Sequence, residues 1–340
     1  MPAHFIDGTE PGPFGVSDIA LRALELRAGA APIRRPGARL AAMFLNPSLR
    51  TRSSLEAACS ILGIHPVMLE PGRTSWALEL REGAVMDGDA AEHVADAVRV
   101  LSMYSDVLAV RAFAGLVDRD LDQADPVIAA FTKYSPVPVV NLESARFHPL
   151  QGLADTATWM SRLGPDLHGQ PITLTWAPHP KALPLAVPHQ VALSAALQGM
   201  HLTIAHPEGM DLDPAVVSHA EHLADGAGGS VRVTHDQDAA MRGARVVVAK
   251  SWSGFSGYGR RADEAARRAA LSDWRIDARK MNLTDEGGFM HCLPVRRNVV
   301  VDDDVIDSHR SWVYEEAGLR LWTTTALLEG LLTEVPWSGH

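Results

Sequence analysis

Two successive alternations of short apolar runs with amphipathic segments limit this chain more than any other feature. In the first, apolar runs at 39–45, 65–69, 106–110 and 137–140 are separated by stretches of helical spacing. After Asp89, for example, Val94, Ala97, Val98 and Leu101 share one helical face. Strands that are apolar on both faces belong to parallel sheets covered by helices on both sides. Ser17 is expected to cap a helix reaching about residue 28, a helix beginning within 48–53 stops at Gly63, and another covers 126–134.

The alternation restarts after His148. A helix of about fifteen residues ends at Gly164. Strands are expected at 172–176, 202–205, 231–234 and 246–249, with helices at 185–197, 214–223 and 237–241. Late strands fall at 289–293 and 311–314, and a last helix at 323–332. The expected fold class is α/β: two doubly wound parallel-sheet domains joined by helices. The first is 1–150, with a C-terminal helix, 321–340, packing back on it; the second is 151–320.

Composition removes several function classes. An apolar fraction of 46% with 21% charged residues argues against disorder. A net charge of −10 disfavours a nucleic-acid partner, whose phosphates need clustered cations. Two cysteines, Cys59 and Cys292, allow neither a disulfide framework nor a Cys-rich zinc site. The first residues lack the basic-then-apolar pattern of a signal peptide, and no run of about 18 apolar residues is present to span a membrane. A cytoplasmic protein without membrane contact is expected. The segment 70–89 has no periodicity but carries Trp76 and ends in Met86-Asp-Gly-Asp89. A loop of that length with a tryptophan reads as a binding or interface element.

Chemistry-bearing residues gather where strands end. Ser48-Leu-Arg-Thr-Arg-Ser53 follows a strand and opens a helix, so free N–H groups, the Ser48 and Thr51 hydroxyls and two arginines, Arg50 and Arg52, make an oxyanion site. Arg111 ends another strand and points to the same crevice. His148 and Gln151 are three apart at a helix start, where the imidazole can polarise a carbonyl and the amide can accept from an N–H2 group. His179 and Lys250 also follow strands, and Gly254, Gly257 and Gly259 after Lys250 are read as lid hinges. In Phe289-Met-His-Cys-Leu-Pro-Val-Arg-Arg297, His291 and Cys292 are strand neighbours pointing apart, which disfavours a nucleophile–base pair. A dinucleotide site lacks its glycine fingerprint, since Gly226-Ala-Gly-Gly229 precedes a strand rather than following one. Asp302-Asp-Asp304 is read as helix-capping, and Arg260-Arg261 and Arg267-Arg268 as solvated.

Together these motifs resemble one family. Ser48-Leu-Arg-Thr51 is similar to the Ser-x-Arg-Thr motif of the aspartate and ornithine carbamoyltransferases, and His148-Pro-Leu-Gln151 to their His-Pro-x-Gln motif. His291-Cys-Leu-Pro294 is similar to the His-Cys-Leu-Pro motif of the ornithine branch. The loop that branch uses for a free α-amino group is absent, and Lys250-Ser-Trp252 stands in its region. This resembles the members acting on N-acylated ornithine. Acetyl-type members carry a glutamate where this chain has Ala91 and a lysine where it has Val300. Trp176-Ala-Pro-His-Pro180 and His206-Pro-Glu-Gly209 resemble the succinyl type, in which a proline is expected at the position of Ala91.

The resemblance implies the carbamoyltransferase fold and carbamoyl transfer, without metal or organic cofactor, to N-succinyl-L-ornithine, with N-acetyl-L-ornithine as the alternative. It implies that Ser48, Leu49, Arg50, Thr51 and Arg320 hold carbamoyl phosphate, and that Arg111 and His148 polarise the carbamoyl oxygen. Gln151, Cys292 and Leu293 orient the carbamoyl N–H2 group, while Glu143, His179, Lys250, Arg296 and Ala91 face the acylated ornithine. The partners implied are these small molecules and, in a homotrimer, a neighbouring subunit into whose site Trp76 reaches.

Overall fold

A computed structural model describes residues 3–10 and 12–333, so the expected C-terminal helix beyond 333 lies outside the described residues. The first half runs α1 (Gly12–Arg27), β1 (Arg39–Phe44), α2 (Leu49–Leu62), β2 (His65–Leu69), β3 (Leu78–Glu79), β4 (Glu92–His93), α3 (Val94–Tyr104), β5 (Val107–Arg111), α4 (Arg119–Ala124), α5 (Pro126–Tyr134) and β6 (Val139–Glu143). The second runs α6 (Pro149–Leu163), β7 (Pro171–Trp176), α7 (Ala186–Leu197), β8 (His201–Ala205), α8 (Pro214–Ala227), β9 (Ser230–Thr234), α9 (Gln237–Met241), β10 (Val246–Lys250), α10 (Arg261–Ala269), α11 (Ala278–Met281), β11 (Gly288–Met290), α12 (Asp303–Ile306) and α13 (Val313–Leu332).

Both large sheets are parallel, with strand orders β2-β1-β5-β6 and β11-β10-β7-β8-β9. The chain reverses its direction of sheet growth between β1 and β5, and again between β7 and β10. Such switch points open a crevice beyond the carboxyl ends of the strands. The central strands β5 and β7 are buried on both faces, as continuous apolar runs require. Helix α6 leads from the first sheet to the second. Helix α13 returns, packing on α1, α2 and α6, and buries Ala326, Leu327 and Leu328 in the first core.

Several expectations change. Helix α1 begins before Ser17, whose hydroxyl donates to Gln198 Oε1 at 3.0 Å instead of capping. The strand expected at 289–293 stops at Met290, because His291 N–H is taken by Glu316 and Leu293 N–H by His291 Nδ1, both at 3.0 Å. Residues 311–314 form no strand: Ser311 makes one bridge to Phe289, and α13 starts at Val313. Segment 70–89 contains β3, which pairs in parallel with β4. Gly254 answers to packing rather than to hinging, since a Cβ there would lie 2.0 Å from the Gly209 carbonyl oxygen. Arg268, expected in solvent, is buried on α10, paired with Glu264 at 2.9 Å and donating to Ser251 Oγ and the Trp252 carbonyl.

Candidate active site

The carboxyl ends of β1, β5 and β6 face those of β7, β10 and β11 across the crevice. Between them lies a cavity of about 510 Å³, lined by Ser48, Leu49, Arg50, Thr51, Arg111, Glu143, His148, His179, Lys250, Cys292, Leu293 and Arg320, with Phe113, Leu183 and Val187 among its apolar walls. This is the size of a small-ligand pocket. Its charged lining is Arg50, Arg111, Lys250 and Arg320 against Glu143 alone, a strong local excess of positive charge on an acidic protein.

Local sequence explains each placement. Ser48 is extended (φ −151°, ψ 127°) and its Oγ accepts from Thr51 N–H at 3.2 Å, so it caps α2 while keeping its own O–H to donate. Gly63 closes that helix in the left-handed region at φ 74°. The α2 N-terminus opens into the cavity, where its N–H groups and dipole favour an anion. Pro149 starts α6, leaving His148 at the N-cap with no capping bond, so its ring turns into the site.

Hydrogen bonds tie these pieces together. Thr51 Oγ1 accepts from Arg111 Nη1 at 3.4 Å and from Arg320 Nη2 at 3.3 Å. Arg111 also pairs with Glu143 Oε2 at 2.7 Å, and His148 Nε2 lies 3.3 Å from that same oxygen. Burial, reinforced by Arg320, Arg111, Lys250 and Arg50, holds the His148 pKa well below the usual histidine range. The imidazole is therefore neutral at pH 7. It is able to donate a hydrogen bond to a developing oxyanion without adding a charge. Burial brings Arg320 down to about 10, which leaves it charged. Burial also raises the Cys292 thiol pKa, Lys250 opposing and Glu316 and Glu143 adding to the rise, so the sulfur stays a thiol.

Some expected site residues lie elsewhere. Gln151 is buried beneath the cavity rather than lining it. Its Oε1 accepts from Arg320 Nη1 at 2.8 Å, and Nε2 donates to Asp155 Oδ1 at 2.8 Å and Glu316 Oε1 at 2.7 Å. Arg296 is exposed outside the lining, although its charge reaches His179. Ala91 is exposed, and Trp76 is 61% exposed with its Nε1 donating to Glu92 Oε2 at 2.7 Å, and neither lines the cavity. Asp155 and Glu316 were not singled out in the sequence. The available signal was spacing: Asp155 follows Gln151 by four residues and Glu316 precedes Arg320 by four.

Fold and site thus define a two-sheet α/β protein with a cationic cavity where its halves meet. The chain belongs to the aspartate/ornithine carbamoyltransferase family: residues 14–161 match its carbamoyl-P binding domain and 186–331 its Asp/Orn binding domain. It is 42% identical over 87% of its length to the N-acetylornithine carbamoyltransferase of Xanthomonas campestris pv. campestris, covering 88% of that protein. It is 38% identical over 86% of its length to the N-succinylornithine carbamoyltransferase of Bacteroides fragilis, covering 87% of it. The fold matches, at TM-score 0.94 and 39% identity, a glutamate-to-alanine mutant of N-acetyl-L-ornithine transcarbamylase complexed with carbamyl phosphate and N-succinyl-L-norvaline. That match covers 97% of this chain and 100% of the other.

Proposed function

We propose that the protein transfers the carbamoyl group of carbamoyl phosphate to the δ-amine of N-succinyl-L-ornithine, giving N-succinyl-L-citrulline and phosphate in arginine biosynthesis. N-acetyl-L-ornithine is the alternative acceptor, since relatives of both names resemble the chain. Residues 1–150 serve the donor and 151–320 the acceptor. The α2 N-terminus, with Ser48, Arg50, Thr51 and Arg320, takes the phosphate. Arg111 and His148 polarise the carbamoyl oxygen while the amine forms its C–N bond and the C–O bond to phosphate breaks. Lys250 supplies a cation for an acceptor carboxylate. Positioning two substrates and stabilising charge at the carbonyl accelerate the reaction.

The observation that carries the succinyl reading is Ala91. Acetyl-type members resemble this chain with a glutamate there, and replacing a glutamate by alanine accompanies the N-succinyl ligand in the related structure. Alanine leaves room for a second carboxylate and removes a like charge. The protein acts as a cytoplasmic homotrimer in which Trp76 and Ala91 serve the neighbour's cavity, a reading supported by their exposure and by neither lining its own chain's cavity.

Initial rates with ornithine, N-acetylornithine and N-succinylornithine, measured side by side, test this. N-succinylornithine is expected to give the highest kcat/KM, and Ala91→Glu to shift preference toward N-acetylornithine. Highest kcat/KM with N-acetylornithine would select the alternative, and with free ornithine would overturn both.

A further inference from the structure

The mechanism above leaves one buried titratable pair unused. Asp155 and Glu316 are each 1% exposed and face each other beneath the cavity floor. A hydrogen bond joins their carboxyl groups. Two carboxylates in contact, away from water, do not both ionise; one proton stays between them. The cation that acts on both, Arg320, is bonded to Gln151 rather than to either carboxylate. Gln151 spends both N–H groups on the pair, one on Asp155 and one on Glu316. That fixes the amide with Oε1 toward Arg320 Nη1. The other oxygen of Glu316 accepts from His291 N–H at 3.0 Å, which sets the turn bearing Cys292 and Leu293.

We propose that Asp155 and Glu316 are positioning residues for the carbamoyl phosphate site, sharing one proton that locks Gln151 onto Arg320 and Glu316 onto the His291 turn. The inference rests on the assignment of Arg320 and of Cys292–Leu293 to that ligand. With the proton present, the pair carries one negative charge against Arg320. Without it, two anions repel across a bond that has lost its hydrogen. Gln151 and the turn then lose their fixed seats together. The groups facing the pair are Gln151 on α6, Arg320 on α13, and the His291 backbone and Cys292 thiol after β11. Burial raises both pKa values; the Asp155 carboxylate raises Glu316 further, while Asp155 is eased by the hydrogen bonds from Gln151 and Glu316 and by Arg320, so the shared proton is held at neutral pH and leaves on the alkaline side.

Asp155→Asn carries a permanent hydrogen where the shared proton sits while still accepting from Gln151. The KM for carbamoyl phosphate of the unmodified enzyme is expected to climb above neutrality, by up to about tenfold per pH unit, the limit for a one-proton linkage. In Asp155→Asn that climb should vanish. Glu316→Gln, whose N–H2 cannot accept, should weaken carbamoyl phosphate binding at every pH. Superimposable pH profiles of KM for the unmodified enzyme and Asp155→Asn would overturn the proposal. Infrared spectroscopy of the unmodified protein supplies a second test that needs no variant. A protonated-carboxyl band at neutral pH, lost on the alkaline side, is expected, and its absence at neutral pH would equally overturn the shared proton. A band that behaves as expected, with no pH effect on KM, would instead place the fault in the ligand assignment of Arg320.

Discussion

Thr51 is the residue on which the site's charges converge, because one hydroxyl oxygen accepts from two guanidinium groups, those of Arg111 and Arg320. Thr51→Val keeps the shape and deletes that acceptor. Hydrogen bonds to charged groups contribute about 1.5–3 kcal/mol, so KM for carbamoyl phosphate is expected to rise roughly ten- to hundredfold. Steady-state kinetics measures this, and the unfolding midpoint is expected to fall as well, since both bonds to the buried Thr51 hydroxyl are present without ligand. Thr51 was legible in the sequence because hydroxyls and arginines at a strand-to-helix turn already specify an anion site. The pairing of Arg111 with Glu143 was not legible. It depends on the β5–β6 register, which places Arg111 opposite Glu143 across a bulge. Sequence gave each residue a separate substrate, whereas here they are bonded to each other.

At the level of elements, segments bounded by their own local signals were readable to the residue, as the strand β2 and the helix α5, with Pro126 at its first turn, illustrate. What failed were segments whose conformation is set by partners far along the chain. Helix α10 interleaves charged residues with alanines, and among its described side chains only Glu264 and Arg268, four apart, turn inward as a buried pair. The chain at 289–293 leaves its sheet because a carboxylate on α13 claims a backbone N–H. Helix α7 has a polar member with a measurable consequence. His189 on its first turns is buried; its Nδ1 bonds the Arg146 carbonyl at 3.1 Å and its Nε2 accepts from Asp213 N–H at 3.2 Å. Both nitrogens are used by the neutral ring, so protonation breaks the Asp213 bond. Burial pushes the pKa from 6.5 down to about 4. The unfolded chain takes up this proton at higher pH than the native protein does. Stability is therefore lost as pH falls from about 6.5 to about 4, by about 3 kcal/mol for this residue. Denaturant titrations across that range should show a slope reduced by one proton in His189→Gln. His148 and His291, depressed in the same direction, continue to steepen the acid limb in both proteins.

For the whole molecule, the net charge of −10 and the cationic cavity are two halves of one arrangement. A net negative charge disfavours polyanions, while the crevice concentrates positive charge where the two sheets meet, an arrangement suited to small anions. In the proposed homotrimer, the exposed Trp76 extends the arrangement beyond one chain. Its indole, anchored to Glu92, projects from a segment that contributes nothing to its own subunit's cavity. In a closed ring of three, each heterologous contact gives every site one neighbour's loop. Two crippled variants should then rescue each other. Trp76→Ala removes what a subunit lends, and Arg50→Ala removes what it keeps, at a half-buried position lining the cavity. A site works only when its own chain is the Trp76→Ala variant and its lending neighbour is the Arg50→Ala variant. Random reassembly of equal amounts meets that condition at about one site in four. Co-refolded or co-expressed mixtures should therefore regain about a quarter of unmodified activity, while either variant alone stays near its own low level. A mixture no more active than the average of its components would mean that each subunit completes its own site.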